Sequence, residues 1–308
     1  LGQAPETGES PNRRAWLRFR ANRPAVVAAL FLLGLLVLAL AWPLISSQGD
    51  MHSEAQFVGP SGGHWFGTDV HGRDLFGRVM AGTRISLMVG LVGALVSLVI
   101  GVLWGATAGF LGGRWDNLLM RTVDMLYSLP SIIFVIVIIT TLEEVLQGWL
   151  QAAIGGDGGE TARLLLLFAG LGAVSWLTMA RIVRGQVLAL RERQFIEAAR
   201  SLGLGTGTIL WRHILPNVFG VVIVYLTLKL PAVILYESFL SYLGLGIHPP
   251  RASLGSLIAE GAKQINPIRV YWWMIAYPAG CLAALLMALN FLGDGLRDIF
   301  DPKADKER

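Results

Sequence analysis

Six apolar runs, each long enough to cross a lipid bilayer, restrict what this chain can fold into more than any other feature. The first, at residues 25–46, has 22 residues, and as a helix it would be roughly 33 Å long, enough for a hydrocarbon core of about 30 Å. Backbone N–H and C=O groups find no water in that core, so each run is predicted to be helical. The other predicted spans are residues 86–111, 118–141 (interrupted by Pro130), 164–188, 217–242 and 272–293. The sequence therefore predicts an all-α polytopic membrane protein with six transmembrane helices.

The composition supports a membrane protein and limits other functions. Hydrophobic residues make up 54% of the chain and charged residues only 15%, against about 25% in soluble domains. The formal charge is +4, but the arginines flank apolar runs and do not form one face, so they indicate membrane orientation and not nucleic-acid binding. Cys281 is the only cysteine, which excludes an intrachain disulfide and a cysteine-based metal site.

The first apolar run has an alternative interpretation as a signal peptide. Basic residues precede it, and Ala39-Leu40-Ala41 resembles a cleavage site. The run is longer than the apolar core of a typical signal peptide, which has about 7–15 residues. Residues 25–46 are therefore predicted to be the first transmembrane helix, preceded by a basic arm at residues 1–24.

The distribution of arginine and lysine predicts how the spans are oriented. Basic residues concentrate in four regions, namely the arm at residues 1–24, the turn at Arg114, the stretch Arg181–Arg212 and the tail at residues 294–308. These regions fall on one side of a six-span chain, and basic residues beside spans favour the cytoplasm. Both termini of this multi-pass protein of the cytoplasmic membrane are therefore predicted to be cytoplasmic, and the loops at residues 47–85 and 243–271 extracytoplasmic.

A polar, arginine-rich stretch at residues 192–216 separates the fourth and fifth spans. Its apolar residues recur at helical spacing, at Phe195, Ala198, Ala199 and Leu202, and predict a short helix with a narrow apolar face. Gly203 stands where such a helix needs a left-handed residue at its C-terminal end, and Pro216 is predicted to end the next helix. The helix would suit a partner's groove, although the pattern alone favours a helix that rests on the lipid surface.

The same stretch resembles the cytoplasmic coupling loop of ABC importer permeases. The shared pattern is Glu-Ala-Ala, three residues, Gly, nine residues and a closing Leu-Pro. The matching positions in this chain are Glu197, Ala198, Ala199, Gly203, Leu215 and Pro216. His213 stands where the common pattern has Ile, and this departure is similar to the peptide-importer branch of the family.

Two further blocks resemble the C-type subunit of dipeptide, oligopeptide and nickel importers. The first runs from His64 through Gly72-Arg73-Asp74 to Gly90, and the second is Asp294–Asp298 followed by Asp301-Pro302-Lys303. The three blocks stand in family order. The resemblance covers nearly the whole chain, from about residue 12 to residue 303.

This resemblance implies the membrane subunit of an ATP-driven importer with the type I ABC importer permease fold. Residues 86–293 would form its five-helix core, including a cytoplasmic coupling helix within residues 192–216. The implied partners are a homologous B-type permease, two ATPase subunits, an extracytoplasmic solute-binding protein and membrane lipid. The implied ATPase-coupling residues are Phe195, Glu197, Ala198, Ala199, Arg200, Gly203, Leu215 and Pro216. The implied cargo is di- or oligopeptides, with nickel, glutathione or another small solute as alternatives.

The sequence predicts no catalytic, cofactor or metal site. It contains no P-loop, so ATP hydrolysis, with its ATP and Mg²⁺, is assigned to the partner subunits. No nucleophile stands beside a base, and the spacing of His64, Asp69, His71 and Asp74 fits no regular zinc or calcium site. An intramembrane enzyme and an ion-coupled secondary transporter are the alternative classes.

Two charged residues, Lys229 and Glu237, lie within the fifth predicted span. They are eight residues apart, which places them near one helix face and about 12 Å apart along its axis. A lysine near the middle of a membrane costs about 2.5–3.5 kcal/mol on insertion scales, so it must face protein or water. The two residues could line the translocation path or form structural polar contacts, and the sequence leaves both interpretations open.

The second predicted span carries glycines at every fourth position, Gly101, Gly105 and Gly109. Successive small residues at this spacing give one helix face a flat groove. The ladder therefore predicts that another helix packs there with its backbone close to that of the second span.

Overall fold

The computed structural model describes residues 11–45, 54–154, 158–247, 249, 251–265 and 268–300. Parts of the predicted arm, first loop and tail, at residues 1–10, 46–53 and 301–308, lie outside these ranges, and so do Pro302 and Lys303. Within them the chain is helical, with one isolated β-bridge between Thr68 and Asp74. The helices are α1 (Pro11–Ala21), α2 (Arg23–Ile45), α3 (Leu75–Leu111), α4 (Gly113–Tyr127), α5 (Ser131–Ile154), α6 (Gly158–Arg191), α7 (Gln194–Ser201), α8 (Thr206–Ile209), α9 (Leu215–Tyr242), α10 (Leu254–Lys263) and α11 (Trp273–Phe300).

Six helical segments among the described residues are long and apolar enough to cross a membrane. They are Arg23–Trp42, Leu75–Leu111, Ser131–Ala153, Ala162–Arg191, Thr206–Tyr242 and Trp273–Ile299. This confirms the prediction of an all-α membrane protein with six transmembrane helices. Several boundaries nevertheless differ from the predicted ones, and each difference has a local physical reason.

The second transmembrane helix, α3, begins at Leu75 and not at the predicted residue 86. Asp74 caps its first turn by accepting a hydrogen bond from the Gly77 N–H at 2.9 Å. The charges that suggested a loop here are paired inside the protein. The buried Arg78 guanidinium, for example, donates to Asp69 at 2.7 Å. The polar appearance of the segment therefore reflects internal ion pairing, and the connection before α3 is shorter than predicted.

The third predicted span, residues 118–141, is divided into two helices. α4 ends at Tyr127 and α5 begins at Ser131, with Pro130 immediately before it. Proline has no N–H to continue the helical hydrogen bonds, which explains the break. α4 is amphipathic, and only α5 has the length and hydropathy of a span.

The helix α5 continues to Ile154, beyond the end of the third predicted span at residue 141. Glu143 accepts a hydrogen bond from Arg163 of α6 at 3.0 Å, so its charge is compensated within the helix pair. Residues 155–157, directly after α5, lie outside the described residues. The third span is therefore displaced toward the C-terminus relative to the prediction.

The sequence predicted that Pro216 ends a helix, and this prediction was wrong. α8, a π-helical turn at Leu210–Ile214 and α9 follow one another without interruption, and Pro216 is the second residue of α9. Proline is tolerated in the first turn of a helix, and the wider π-helical turn directly before it relaxes the usual bonding pattern. The fifth span thus begins as a direct extension of the segment that precedes it.

The sixth span, α11, extends to Phe300 and therefore includes residues 294–300 of the predicted tail. Its C-terminal part contacts the start of α2. The Asn22 side-chain amide donates to Asp298 at 3.3 Å, and a Cβ at Gly295 would meet the Ala25 side chain. The two ends of the described chain are thus packed together on the same side of the helix bundle.

The glycine ladder on α3 packs against α6, as predicted. A Cβ built at Gly105 would overlap the carbonyl oxygen of Ala180, and one at Gly109 would lie 2.9 Å from that of Arg184. Real Cβ atoms do not approach backbone this closely, so only glycine permits the observed separation. Close backbone packing supplies the dispersion contacts that hold membrane helices together, because lipid offers no hydrophobic driving force between them.

Replacement of Gly105 by alanine is expected to separate α3 and α6 and to destabilise the protein by roughly 1–3 kcal/mol, the usual cost of overpacking. A fall in the thermal unfolding temperature of the detergent-solubilised protein would show it. Gly185→Ala is the matched control, because Gly185 lies on α6 with no neighbouring atom within 4 Å of a built Cβ. Equal stability of the two variants would contradict the packing role of the ladder.

Candidate coupling surface and membrane cavity

The short helix α7 (Gln194–Ser201) lies between α6 and α8 and packs through two residues. Ile196 is 0% exposed and Ala199 is 5% exposed. The predicted apolar face was wrong in part, because Phe195 and Leu202 point outward, with 44% and 81% of their surfaces exposed. Ile196, which the predicted apolar face did not include, supplies the buried contact instead.

Gly203 ends α7 in a left-handed conformation, as the sequence predicted, with φ of +78°. Its N–H donates to the Arg200 carbonyl at 2.9 Å, and the Leu204 N–H donates to the Ala199 carbonyl at 3.2 Å. This pair of bonds is a Schellman motif, which satisfies the last carbonyls of a helix. Residues with a Cβ rarely adopt such a φ, so the turn between α7 and α8 depends on glycine.

The segment from α7 to α9 is attached to the α3–α6 pair by a shared hydrophobic cluster. Its buried members are Ala106, Met179, Val183, Val187, Ile196, Ala199, Ile209, Ile214, Val218 and Val222, with Leu215 packed against them. They come from α3, α6, α7, α8, the π-helical turn and α9. One continuous cluster therefore attaches α7 to three transmembrane helices, α3, α6 and α9.

The outward side of this segment carries apolar and charged side chains together. Trp211 is 64% exposed, and Phe195 and Leu202 are exposed as described above. Glu197, Ala198 and Arg200 are also exposed. We call these six residues the coupling surface. An exposed apolar patch with charges at its edge is typical of a site that binds another protein.

Lys229 and Glu237 lie in separate environments. Glu237 is 0% exposed and accepts hydrogen bonds from three serine hydroxyls, those of Ser241 at 2.7 Å, Ser86 at 3.0 Å and Ser238 at 3.3 Å. The Ser86 hydroxyl also accepts the N–H of Leu254 at 3.3 Å. This hydroxyl cluster joins α3, α9 and the start of α10.

Lys229 instead lines a cavity of about 270 Å³ between α4, α5, α6 and α9. Its ammonium group donates to the Thr178 hydroxyl at 3.4 Å. Tyr127, Ser131, Ser175 and Tyr236 supply further hydroxyl groups to the walls. The break between α4 and α5 borders this cavity, so irregular backbone and a charged side chain meet at the same place.

Comparison with protein families matches the chain to two models. Residues 97–306 match the inner membrane component of binding-protein-dependent transport systems, and residues 10–60 match the N-terminal transmembrane domain of oligopeptide transport permease C. The first match covers more than half of the chain. The chain belongs to the family of inner membrane components of binding-protein-dependent transport systems.

Individual relatives agree with this permease family along nearly the whole chain. The permease is 44% identical to the oligopeptide transport system permease protein OppC of Escherichia coli K12, over 96% of this chain and 92% of that protein. It is 40% identical to OppC of Haemophilus influenzae, over 96% of this chain and 90% of the relative. It is also 40% identical to the dipeptide transport system permease protein DppC of Bacillus subtilis, over 94% and 85% of the two chains.

Solved structures share the fold of the permease. Two structures of inward-facing MetNI methionine ABC transporters match it with TM-scores of 0.52 and 0.53. Their sequence identities are 18% and 21%, and the matches cover 71% and 74% of this chain and 95% and 98% of the solved chains. At this identity the likeness establishes an ABC importer permease fold.

A buried ion network holds the segment before α3 of the permease against α10. Asp69 accepts from Arg73 Nε and Arg78 Nη1, each at 2.7 Å, and both arginines also contact Glu260 of α10. Burial raises the pKa of Asp69, but Arg78, Arg73 and a backbone N–H outweigh it and leave the pKa below its ordinary value. The sequence suggested no role for Glu260, because its partners lie more than 180 residues earlier in the chain.

The residues considered as a metal site have other roles in the permease. Asp69 belongs to the ion network, and Asp74 caps α3 and lies 3.2 Å from the Nδ1 atom of His64. The His71 N–H donates to Asp69 at 2.8 Å. In the described parts of the chain, no group of three or more His, Cys, Asp or Glu side chains could hold a metal ion.

Asp69→Asn is expected to lower the stability of the permease by roughly 1.5–3 kcal/mol near neutral pH, since charged hydrogen bonds to two arginines are lost. The lowered pKa means that the stability from ionised Asp69 is present above the ordinary carboxyl pKa of about 4 and is lost as pH falls through the folded-state pKa. The difference in unfolding temperature between wild type and variant should therefore shrink at acidic pH. Glu54→Gln, at an exposed carboxylate, is the control. A difference that stays constant down to about pH 2 would contradict the assignment.

Proposed function

We propose that the permease is a membrane subunit of an ATP-driven importer that carries di- or oligopeptides into the cytoplasm. The observation that carries the proposal is the agreement, along nearly the whole chain, with relatives that are oligopeptide and dipeptide permeases. The departure at His213 and the extracytoplasmic block around Gly72 favour the same branch. Import of nickel, glutathione or another small solute, with no uptake of peptides, would contradict the peptide assignment.

The coupling surface is the proposed contact with the ATPase subunits. Phe195, Glu197, Ala198 and Arg200 are exposed on α7 and would lie in a groove of the ATPase. Ala199 is buried and Leu215 half-buried, so within the coupling motif they would attach α7 to the spans and not contact the partner. Gly203 shapes the turn that follows, and Pro216 lies in the first turn of α9. ATP and Mg²⁺ would be bound by the ATPases alone.

The proposed transport cycle follows from the attachment of α7 to the transmembrane helices. Closure of the ATPase dimer around ATP would move α7 as a rigid body, because its buried face belongs to the same cluster as α3, α6 and α9. The spans would then rock between inward and outward access. Peptide would pass through a path formed with a homologous B-type permease, and Lys229 is the proposed polar residue of this chain on that path. Glu237, enclosed by serine hydroxyls, would have a structural role.

The proposed orientation places the coupling surface and both termini in the cytoplasm. The basic residues beside the spans support it. The ion network around Asp69 and the helix α10 would then lie on the extracytoplasmic side, where a solute-binding protein delivers the peptide. This orientation gives each partner a separate face of the permease.

The coupling role of the α7 turn is tested by Gly203→Val. Valine at φ of +78° is strained, so the turn should change shape and misplace α7 against the ATPase. In the complete complex in proteoliposomes, we expect ATP hydrolysis to persist while peptide uptake per ATP falls at least about tenfold, since about 1.4 kcal/mol of strain changes an equilibrium tenfold.

Two variants make this test specific. Gly205→Val is the control, because Gly205 lies in the same turn with φ of −64°, which valine adopts readily. Gly203→Asn should retain most of the coupling, because asparagine tolerates the left-handed conformation. Normal uptake per ATP by Gly203→Val would contradict the role of the turn, and absence of any ATPase from the purified complex would contradict the proposed function itself.

A further inference from the structure

We propose that Lys229 makes the cavity between α4, α5, α6 and α9 a binding site for a carboxylate group of the transported peptide. This inference rests on the proposed function and adds a specificity determinant within the membrane. In this proposal the permease recognises one charged group of the peptide and does not recognise the rest of it. The site follows from the charge, the hydroxyl groups and the shape of the cavity.

The charge of Lys229 is not compensated by an acidic side chain in the cavity. Its ammonium group contacts the Thr178 hydroxyl at 3.4 Å, a weak and uncharged partner. Within the part of the chain that the structure describes, no Asp or Glu lines the cavity. Asp124, which lies three residues before Tyr127 on α4, accepts from Arg181 at 2.6 Å. An ammonium group within a transmembrane helix, such as that of Lys229, raises the free energy of the folded protein unless it contacts an anion or water.

Hydroxyl groups extend the site beyond the ammonium group. Thr178 lies 3.3 Å from the Tyr127 hydroxyl, so the lysine stands at one end of a chain of polar groups along the wall. Ser131, Ser175 and Tyr236 contribute further groups that donate hydrogen bonds. A carboxylate accepts from such donors and from an ammonium group at the same time, and the charged bond is the stronger one.

The backbone at the cavity supports a ligand site. α4 ends at Tyr127 and α5 starts at Ser131, and residues on both sides of this break line the cavity. Irregular backbone beside a span is tolerated where it lines a cavity or is buried in protein. Because the volume of about 270 Å³ is below the usual range of about 300–1,000 Å³ for ligand pockets, it suits one end of a peptide and not a whole peptide.

A larger cavity in the permease fits this role less well. It measures about 1140 Å³, lies between α2, α3 and α9, and is lined mostly by apolar side chains together with Arg73, Arg78, Arg84 and Arg251. Two of its arginines, Arg73 and Arg78, are already paired with Asp69 and Glu260. None of the described residues that line it carries a hydroxyl group, so it lacks the hydrogen-bond donors that surround Lys229.

The test compares two forms of one peptide, the free acid and its C-terminal amide, in the complete complex reconstituted in proteoliposomes with saturating solute-binding protein. The measured quantity is the ratio of acid uptake to amide uptake. The same binding protein serves every variant, so its own preference cancels when ratios are compared. We expect Lys229→Met to lower the ratio about tenfold, as for loss of a charged hydrogen bond, while amide uptake continues. A second pair, with glutamate or glutamine in the peptide, shows whether a side-chain carboxylate occupies the site instead.

Two controls separate charge from structure. Lys229→Arg keeps the cation and should keep the ratio. Lys263→Met removes a lysine from α10, away from the cavity, and should also leave the ratio unchanged. If Lys229→Met alters neither the acid-to-amide nor the glutamate-to-glutamine ratio while the complex transports normally, the carboxylate site is refuted. If no form of peptide is transported even by the wild-type complex, the proposed function fails instead, and the two results cannot be confused.

Discussion

The close approach of α3 and α6 is the contact on which the rest of the permease depends. Gly105 and Gly109 let the backbone of α3 lie against the carbonyl oxygens of Ala180 and Arg184, so the two helices form a rigid pair. At one end of the pair, Arg184 makes a two-pronged salt bridge with Asp116 of α4, with distances of 2.5 and 2.7 Å. The hydrophobic cluster beneath α7 is built on the same two helices. Backbone packing thus provides the frame, and side chains attach α4 and α7 to it.

Polar groups fasten one end of this frame, and apolar side chains fasten the other. On one side, the Asp69 network ties the segment before α3 to Glu260 of α10, and the serine hydroxyls around Glu237 tie α3 and α9 to the same helix. Buried ionic and hydroxyl contacts add little net stability compared with apolar packing. They do, however, require their hydrogen-bonding partners to lie in one particular arrangement. On the other side, the apolar side chains of Ile196 and Ala199 attach α7 to the spans, and the charged Glu197 and Arg200 are exposed. The two sides therefore differ, because polar contacts fix one of them and the other presents exposed apolar and charged side chains.

The sequence predicted the features that depend on local pattern. The six spans, the α3 glycine ladder and the left-handed Gly203 all followed from length, spacing and position.

The features that the sequence did not predict depend on distant partners. The polar start of α3 looked like a loop because Glu260, which compensates Arg78, could not be identified from the sequence. The extension of α5 past Glu143 was missed because its partner Arg163 belongs to the next helix. The exposed side of α7 was misjudged because two apolar stripes were possible and tertiary packing selected the one with Ile196. Lys229 and Glu237 share a helix but face different neighbours, which helical periodicity alone does not show.

The central claim is that the exposed side of α7 binds the ATPase on the cytoplasmic side of the membrane. Site-specific photo-crosslinking in the assembled complex tests it most directly. The photoreactive residue is placed either at Leu202, which is 81% exposed, or at Trp65, which lies in the segment before α3 and is 59% exposed. The claim predicts a crosslinked product with the ATPase from position 202 and none from position 65. A crosslink to the ATPase from position 65, or from neither position in a complex that hydrolyses ATP, would contradict it.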